Sequence, residues 1–419
     1  MRVLLLESSE KGHRLVYLRY VIDALAELAD PLILAMPDHT TRTPEFQMHI
    51  APAVDRFTLD TQFPAMQGKR FHGSFHKLPA IRALIKRTRP DYLLVPHADG
   101  LAQATGLARM AGLQWLPRNL PSEGVVMAGA FAYPQPGNDR RLRAKTTLAA
   151  LRKAPWTRLH HLDPHACAVI RSGGARPAER WRVISDPVLP STLSDQAEAR
   201  RKMGLDDDAF ALVCLGGIDD RKGIDRLLRA LPHDELDPKV KLALIGPHSP
   251  QIRQMLDGPC AHLVASGRVI SRDEFVPHAV LADWAVAADV VCALYPMHPA
   301  SSSIVILAAQ AGRPVLGTNT AWIGRHVPRH QLGWCVDIHD QQAIAQGVRH
   351  AVANAADWQP TEASRRFGRF HTVDNFIRCW TRGVRQAQGL GDDQPPLTWD
   401  WVEAGRADSD PPNTQAPTA

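Results

Sequence analysis

The feature that most constrains this chain is a repeated change of period. Short runs of three to seven residues alternate with longer segments whose apolar residues recur at helical spacing, the signature of β/α units around parallel sheets. In the first half, strand-like runs fall at Val3–Leu6, Pro31–Ala35, Tyr92–Val95 and Gln114–Leu116. Between them Leu15–Leu28 and Leu78–Arg87 carry helical patterns. In the second half the runs are Ala211–Gly216, Val240–Gly246, Asp289–Tyr295 and Pro314–Gly317, each followed by a helical segment. Between the halves stands RVISDPVLPST (Arg182–Thr192), whose prolines suit a stiff linker.

At 419 residues the chain is long enough for two domains. The expected division is 1–187, 188–388 and a disordered acidic tail at 389–419, rich in Pro, Asp, Thr and Ala. No apolar run approaches the roughly 18 residues needed to span a bilayer, and MRVLLLESSEKGH reads as a buried first strand of a cytoplasmic protein. The six cysteines are too far apart to spell a metal or redox pair. The net charge of +6 conceals a body near +11, because the tail from Gln386 carries six acids against one arginine. Such a body suits an anionic small molecule, an anionic membrane or nucleic acid.

Two segments carry anion chemistry. In CLGGIDDRKGIDRLLRAL (Cys214–Leu231), a strand ends in Gly216-Gly217 and Arg221-Lys222-Gly223 precede a helix. The lysine supplies a mobile point charge and the arginine a planar fork, which makes either a diphosphate clamp or a solvated basic turn. In DVVCALYPMHPASSSIVILAAQAG, a second strand feeds a helix start at Ser301, Ser302 and Ser303. Unpaired N–H groups and hydroxyls there attract anions. Both loops follow parallel strands of one domain, so together they describe an anion pocket.

In the first half, Gly12 and His13 occupy the loop after the first strand, where a glycine lets backbone approach a ligand. The spaced glycines of a dinucleotide fingerprint are missing, and no cofactor or metal is called for. His97 lies beside Asp99 at the end of Tyr92–Val95, an arrangement that serves acid-base work or a solvated turn equally; His13 and His97 are the catalytic candidates.

The ordered series strand-GG-x(4)-KGID-x-LL-x-A, LALIG, the Ser-rich helix start, AAQAGRPVLGTN and LGWCVD resembles the nucleotide-sugar-binding domain of the GT-B glycosyltransferases, family 4 (group 1). The resemblance covers most of the second half. It implies an α/β protein of GT-B fold, two Rossmann-like β/α/β domains facing across a cleft, with a nucleotide diphosphate sugar as donor and a carbohydrate or lipid-linked acceptor. It implies diphosphate contacts from Gly12, Lys222, Ser301, Ser302, Ser303 and Ile304, to which the loop itself adds Gly217 and Arg221, the arginine as a displaced substitute, and it implies that a helix near Phe367–Val384 crosses back onto the first domain. This chain departs from the family at its paired glutamates, which fall on Pro299 and Leu307, and at an arginine, which falls on Ile218. An active transferase and an inactive nucleotide-binding relative or scaffold are the two readings.

From Gly137 to Arg182 there are eleven Lys or Arg against three acids. Such a segment makes either a solvated basic face or a contact with anionic lipid at the inner membrane face. Nucleic acid is disfavoured, because no helix-turn-helix, RNA-binding aromatic or zinc spacing occurs.

Overall fold

The structure is a computed structural model and describes residues 1–8, 14–64, 70–134, 136–392 and 394–406. It divides into two units, Met1–Pro187 with Val373–Thr398, and Val188–Thr372 with the segment from Trp399 onward.

The first unit is built on seven strands: β1 (Val3–Leu6), β2 (Leu32–Ala35), β3 (Thr58–Asp60), β4 (Tyr92–Val95), β5 (Ser122–Val126), β6 (Arg158–His161) and β7 (Trp181–Val183). They form one parallel sheet in the order β3-β2-β1-β4-β5-β6-β7. β1 and β4 are fully buried, as the all-apolar VLLL and YLLV require of central strands covered on both faces. Helix Arg14–Leu25 buries Leu15, Leu18, Val21, Ile22 and Leu25 against one face. On that face too lies Val373–Ala387, which buries Phe376, Trp380 and Val384, four residues apart and so on one stripe. Each such side chain contributes about 1.5–3 kcal/mol by leaving water, which explains why the segment belongs to the first unit although the chain has already passed through the second.

The second unit holds β8 (Phe210–Leu215), β9 (Val240–Ile245), β10 (Val269–Arg272), β11 (Val290–Ala293), β12 (Val315–Thr318) and β13 (Gly333–Val336). These too are all parallel, in the order β10-β9-β8-β11-β12-β13. In each sheet the strand order reverses once, between β1 and β4 in the first and between β8 and β11 in the second. Helices leave in opposite directions at such a point and open a crevice beyond the carboxyl ends of the strands, which is where open α/β sheets bind ligands.

Two expectations are corrected. The run Gln114–Leu116 is irregular, and the strand beside β4 is instead Ser122–Val126. The tail expected to be disordered from 389 contains a helix, Trp399–Ala404, whose Val402 is fully buried. Trp399 packs against Phe370 and His330, and Glu403 bridges Arg329 and Arg406. Trp and Val three residues apart give even this acidic segment an apolar side. Residues 407–419 lie outside the described residues.

Candidate functional site

In the second unit both anion loops end at the β8/β11 reversal. β8 runs into Gly216, with φ +82°, and Gly217, beside which there is open space. Asp219 then caps a single turn, its carboxylate accepting from the Lys222 N–H at 3.0 Å and pairing with Arg221 at 3.4 Å. Gly223 follows with φ +71°, and a Cβ there would stand 2.1 Å from the Leu294 carbonyl oxygen. Only glycine lets the loop from β8 press this closely on the strand end of β11. The tight turn sends Lys222 back beneath the loop: its Nζ donates to the Leu215 carbonyl and lies 5.6 Å from the centre of the Tyr295 ring.

From the other side, β11 delivers Tyr295 and His298, their rings 4.8 Å apart. His298 Nε2 donates to the Ser301 carbonyl at 3.0 Å. Burial holds the imidazole below its usual range, and the Arg221 and Lys222 cations push the same way, so it is neutral with Nδ1 as an acceptor. Ser302 is the N-cap of helix Ser303–Gln310, yet its hydroxyl makes no capping bond. Ser302 is only 3% exposed, and the Oγ atoms of Ser301 and Ser302 are both buried without a hydrogen-bond partner. A buried hydroxyl left unmatched costs about 1–3 kcal/mol unless a ligand satisfies it. Two such hydroxyls, the first N–H groups of an eight-residue helix and a buried lysine form a site for an anion. Gly217, Arg221, Lys222 and Ser301–Ile304 thus meet on one rim. Leu307 is buried in the apolar body of the same helix, and neither it nor Pro299 offers a side-chain acceptor.

The first unit places a second polar group at the β1/β4 reversal. His97 follows β4, but its carboxylate partner is Glu7 at the end of β1, with Nδ1 2.5 Å from Oε2. Asp99, the partner suggested by sequence, instead accepts from the N–H groups of Met127 and Ala128 at 2.9 and 2.7 Å and holds the loop after β5. Likewise Asp163 caps the helix that begins at Pro164, through the His165 N–H. Glu7 is fully enclosed. Burial would raise its pKa, but His97, Arg14 at 3.6 Å and the Ser8 N–H at 2.7 Å outweigh this and lower it.

Lys77 completes the group. It is 1% exposed, its Nζ lacks a hydrogen-bond partner, and it faces the Phe63 ring at 5.5 Å. Burial pulls its pKa down to about 7, with Glu7 opposing. Sequence reasoning singled out neither Glu7 nor Lys77, since a glutamate ending a strand and a lysine on a basic helix are both ordinary. Their one signal is that each falls on a segment adjoining the β1/β4 reversal. Gly12 and His13 lie outside the described residues.

Comparison with known proteins places the likeness in the second half of the chain. Residues 209–354, which contain β8 to β13 and the whole anion rim, match the family described as Glycosyl transferases group 1. The D-inositol 3-phosphate glycosyltransferase of Kribbella flavida is 33% identical over 220 residues, 47% of this chain and 50% of that protein. The D-inositol 3-phosphate glycosyltransferase 1 of Catenulispora acidiphila is 27% identical over 46% of this chain and 49% of its own. The chain spans about half the length of the curated relatives it matches. The fold is similar to that of Anabaena Alr3699/HepE in complex with UDP, with a TM-score of 0.61, 13% identity, and 92% of this chain and 100% of that one covered. Residues 209–354 thus resemble a group 1 glycosyl transferase domain, in a chain whose two Rossmann-like units have the GT-B fold. The matched segment contains the anion loops, and the Glu7–His97 pair belongs to the other unit.

Proposed function

We propose that the protein is a glycosyltransferase that moves a sugar from a nucleotide diphosphate sugar to an acceptor hydroxyl. The observation that carries this is the anion rim at the β8/β11 reversal of a group 1 domain, with Lys222, two unmatched serine hydroxyls and a helix start around it. Cations and N–H donors held there stabilise the charge that develops on a departing diphosphate. The first unit, which gathers His97, Glu7, Arg14 and Lys77 at its own strand reversal, is the place for the acceptor. The names of the relatives direct the acceptor search to polyols and their phosphates, and the UDP complex of the Anabaena protein puts UDP-sugars first among donors.

Thermal denaturation with UDP-, GDP- and ADP-sugars tests the donor site. At least one should raise the midpoint, and Lys222→Ala should remove the shift; no shift with any of them would leave the reading without support. Pro299 and Leu307 favour a second reading, a nucleotide-binding relative without turnover. Donor binding with no acceptor-dependent release of nucleoside diphosphate would select it.

The acceptor class extends to lipid-linked sugars at an anionic membrane. No helix among the described residues is long and apolar enough to cross one. Helix Asn138–Lys153, however, begins with exposed Arg140, Arg141, Arg143 and Lys145 around Leu142, which is 66% exposed. Basic side chains flanking an outward leucine suit anionic headgroups, each near-surface cation contributing about 1 kcal/mol. Sedimentation with phosphatidylglycerol vesicles at low salt should carry the protein down, and Leu142→Asp combined with Arg143→Glu should leave it in the supernatant.

A further inference from the structure

The anion rim of the second unit is made mostly of hydrogen-bond donors. Arg221, Lys222, the Ser301 and Ser302 hydroxyls and the first N–H groups of helix Ser303–Gln310 all favour negative charge. Asp219, the carboxylate that begins the loop, is taken up by the Lys222 N–H and by Arg221. His298 supplies what these groups lack. A carbonyl oxygen only accepts, so the 3.0 Å bond to the Ser301 carbonyl fixes the imidazole proton on Nε2 and leaves the lone pair on Nδ1. Nδ1 has no hydrogen-bond partner among the described residues, and the residue is only half-buried.

The ring is held where it stands. It packs on Tyr295 at 4.8 Å, and the Tyr295 ring in turn lies 5.6 Å from Lys222 Nζ, which sets His298 beside the loop lysine. Pro296 and Pro299 stiffen the segment on either side. The Thr320 hydroxyl donates to the Pro296 carbonyl and the Trp322 N–H to the His298 carbonyl, both at 3.3 Å. A neutral nitrogen lone pair repels the lone pairs of a phosphate oxygen and attracts a hydroxyl proton. A bare diphosphate therefore leaves Nδ1 unmatched, whereas a diphosphate flanked by sugars satisfies donors and acceptor together.

We propose that His298 is a specificity-determining residue of the donor site, its Nδ1 accepting a hydrogen bond from a hydroxyl of one of the two sugars that flank the diphosphate. The proposal rests on the glycosyl-transfer reading and names the group by which the site tells a nucleotide sugar from a bare phosphate anion. A site built to hold a hydroxyl rejects ligands without one, because its own polar atom is then left unpaired. No proton is transferred, and Nε2 keeps its bond to the Ser301 carbonyl throughout.

The test is calorimetric titration of the full-length chain with pyrophosphate, with a nucleoside diphosphate and with the matching nucleotide glucose, the base being whichever of UDP-, GDP- and ADP-glucose raises the thermal midpoint. His298→Phe should weaken the nucleotide sugar about 10-fold and leave pyrophosphate within about 2-fold. A nucleoside diphosphate weakened as much assigns the hydroxyl to the ribose, and one left unchanged assigns it to the transferred sugar. His298→Gln, whose amide both donates and accepts, should recover part of the lost affinity. In the wild-type chain with 15N-labelled histidine, His298 should carry its proton on Nε2, and the bare Nδ1 resonance should move with the nucleotide sugar and not with pyrophosphate. A proton on Nδ1 would overturn the proposal whether or not the variants fold. So would equal losses for pyrophosphate and nucleotide sugar in both variants, or no loss for either ligand. A wild-type chain that binds none of the three nucleotide sugars would instead defeat the transferase reading itself, an outcome distinct from every result with the variants.

Discussion

Lys77 shows how far a single residue can depart from what its type suggests. A lysine on a helix ending in Lys86 and Arg87 reads as part of a solvated basic face, yet this one is almost wholly enclosed beside Phe63. Its pKa of about 7 lies far below the value near 10.5 that it regains on unfolding. Between those two values the unfolded chain holds a proton that the folded chain has lost, so stability rises with pH across that window and is lowest below it. Lys77→Met should therefore raise the thermal midpoint by roughly 5 °C or more at pH 6.5, with the gain disappearing toward pH 10. An equal gain at both pH values would show that burial of the charge is not the cause. The same residue scale explains why Glu7 was illegible. Sequence spacing paired His97 with its neighbour Asp99, but the true partner is ninety residues away and is brought near by the pairing of β1 with β4.

Elements were legible where their period was undisturbed and hidden where buried polar groups broke it. VLLL, YLLV and FALVCL announce central strands. β5 reads SEGVV because Glu123 is buried opposite Arg158, and β6 reads RLHH because His160 and His161 are buried as well. Tertiary pairing, not apolar pattern, makes these strands.

The tail helix depends on a similar hidden group. His330 is fully buried between Phe367, Trp399 and the stacked His326 ring, with neither nitrogen hydrogen-bonded. Burial lowers its pKa well below the usual value, and His326, Arg329, Arg406 and His371 add to the effect; Glu403 pairs with both arginines. Burial and His326 also take His371 down to about 3. As pH falls below about 6.5 the unfolded chain binds protons that these two residues refuse. Each then withdraws about 1.4 kcal/mol of stability per pH unit, and above that pH the effect is absent. Urea denaturation should show a loss between pH 6.5 and 5 that His330→Phe makes smaller. An unchanged pH slope in that variant would place the acid sensitivity elsewhere.

At the scale of the whole molecule, each unit repeats one solution: a parallel sheet whose strand order reverses once, with its polar groups gathered at the reversal. The second unit was legible in its strands and in the loops that follow them, because Gly223 and Lys222 act through local turn geometry that a short motif can carry. The first unit was legible only as a β/α layout, since its polar group is assembled from segments far apart in sequence. The return of Val373–Thr398 to the first unit was expected from the family resemblance, and its Phe376, Trp380, Val384 stripe is the physical reason, while the docked Trp399 stands out as an aromatic residue within an acidic segment.

What joins these levels is the claim that the chain transfers glycosyl groups without a carboxylate at position 299 or 307. The most direct test is transfer of radiolabelled sugar from UDP-, GDP- and ADP-glucose to a panel of polyol, polyol phosphate and lipid-linked acceptors by the full-length protein. Labelled product should form from at least one donor only when an acceptor is present, and Lys222→Ala should reduce it at least 100-fold. Nucleotide binding with no labelled product across the whole panel would contradict the account.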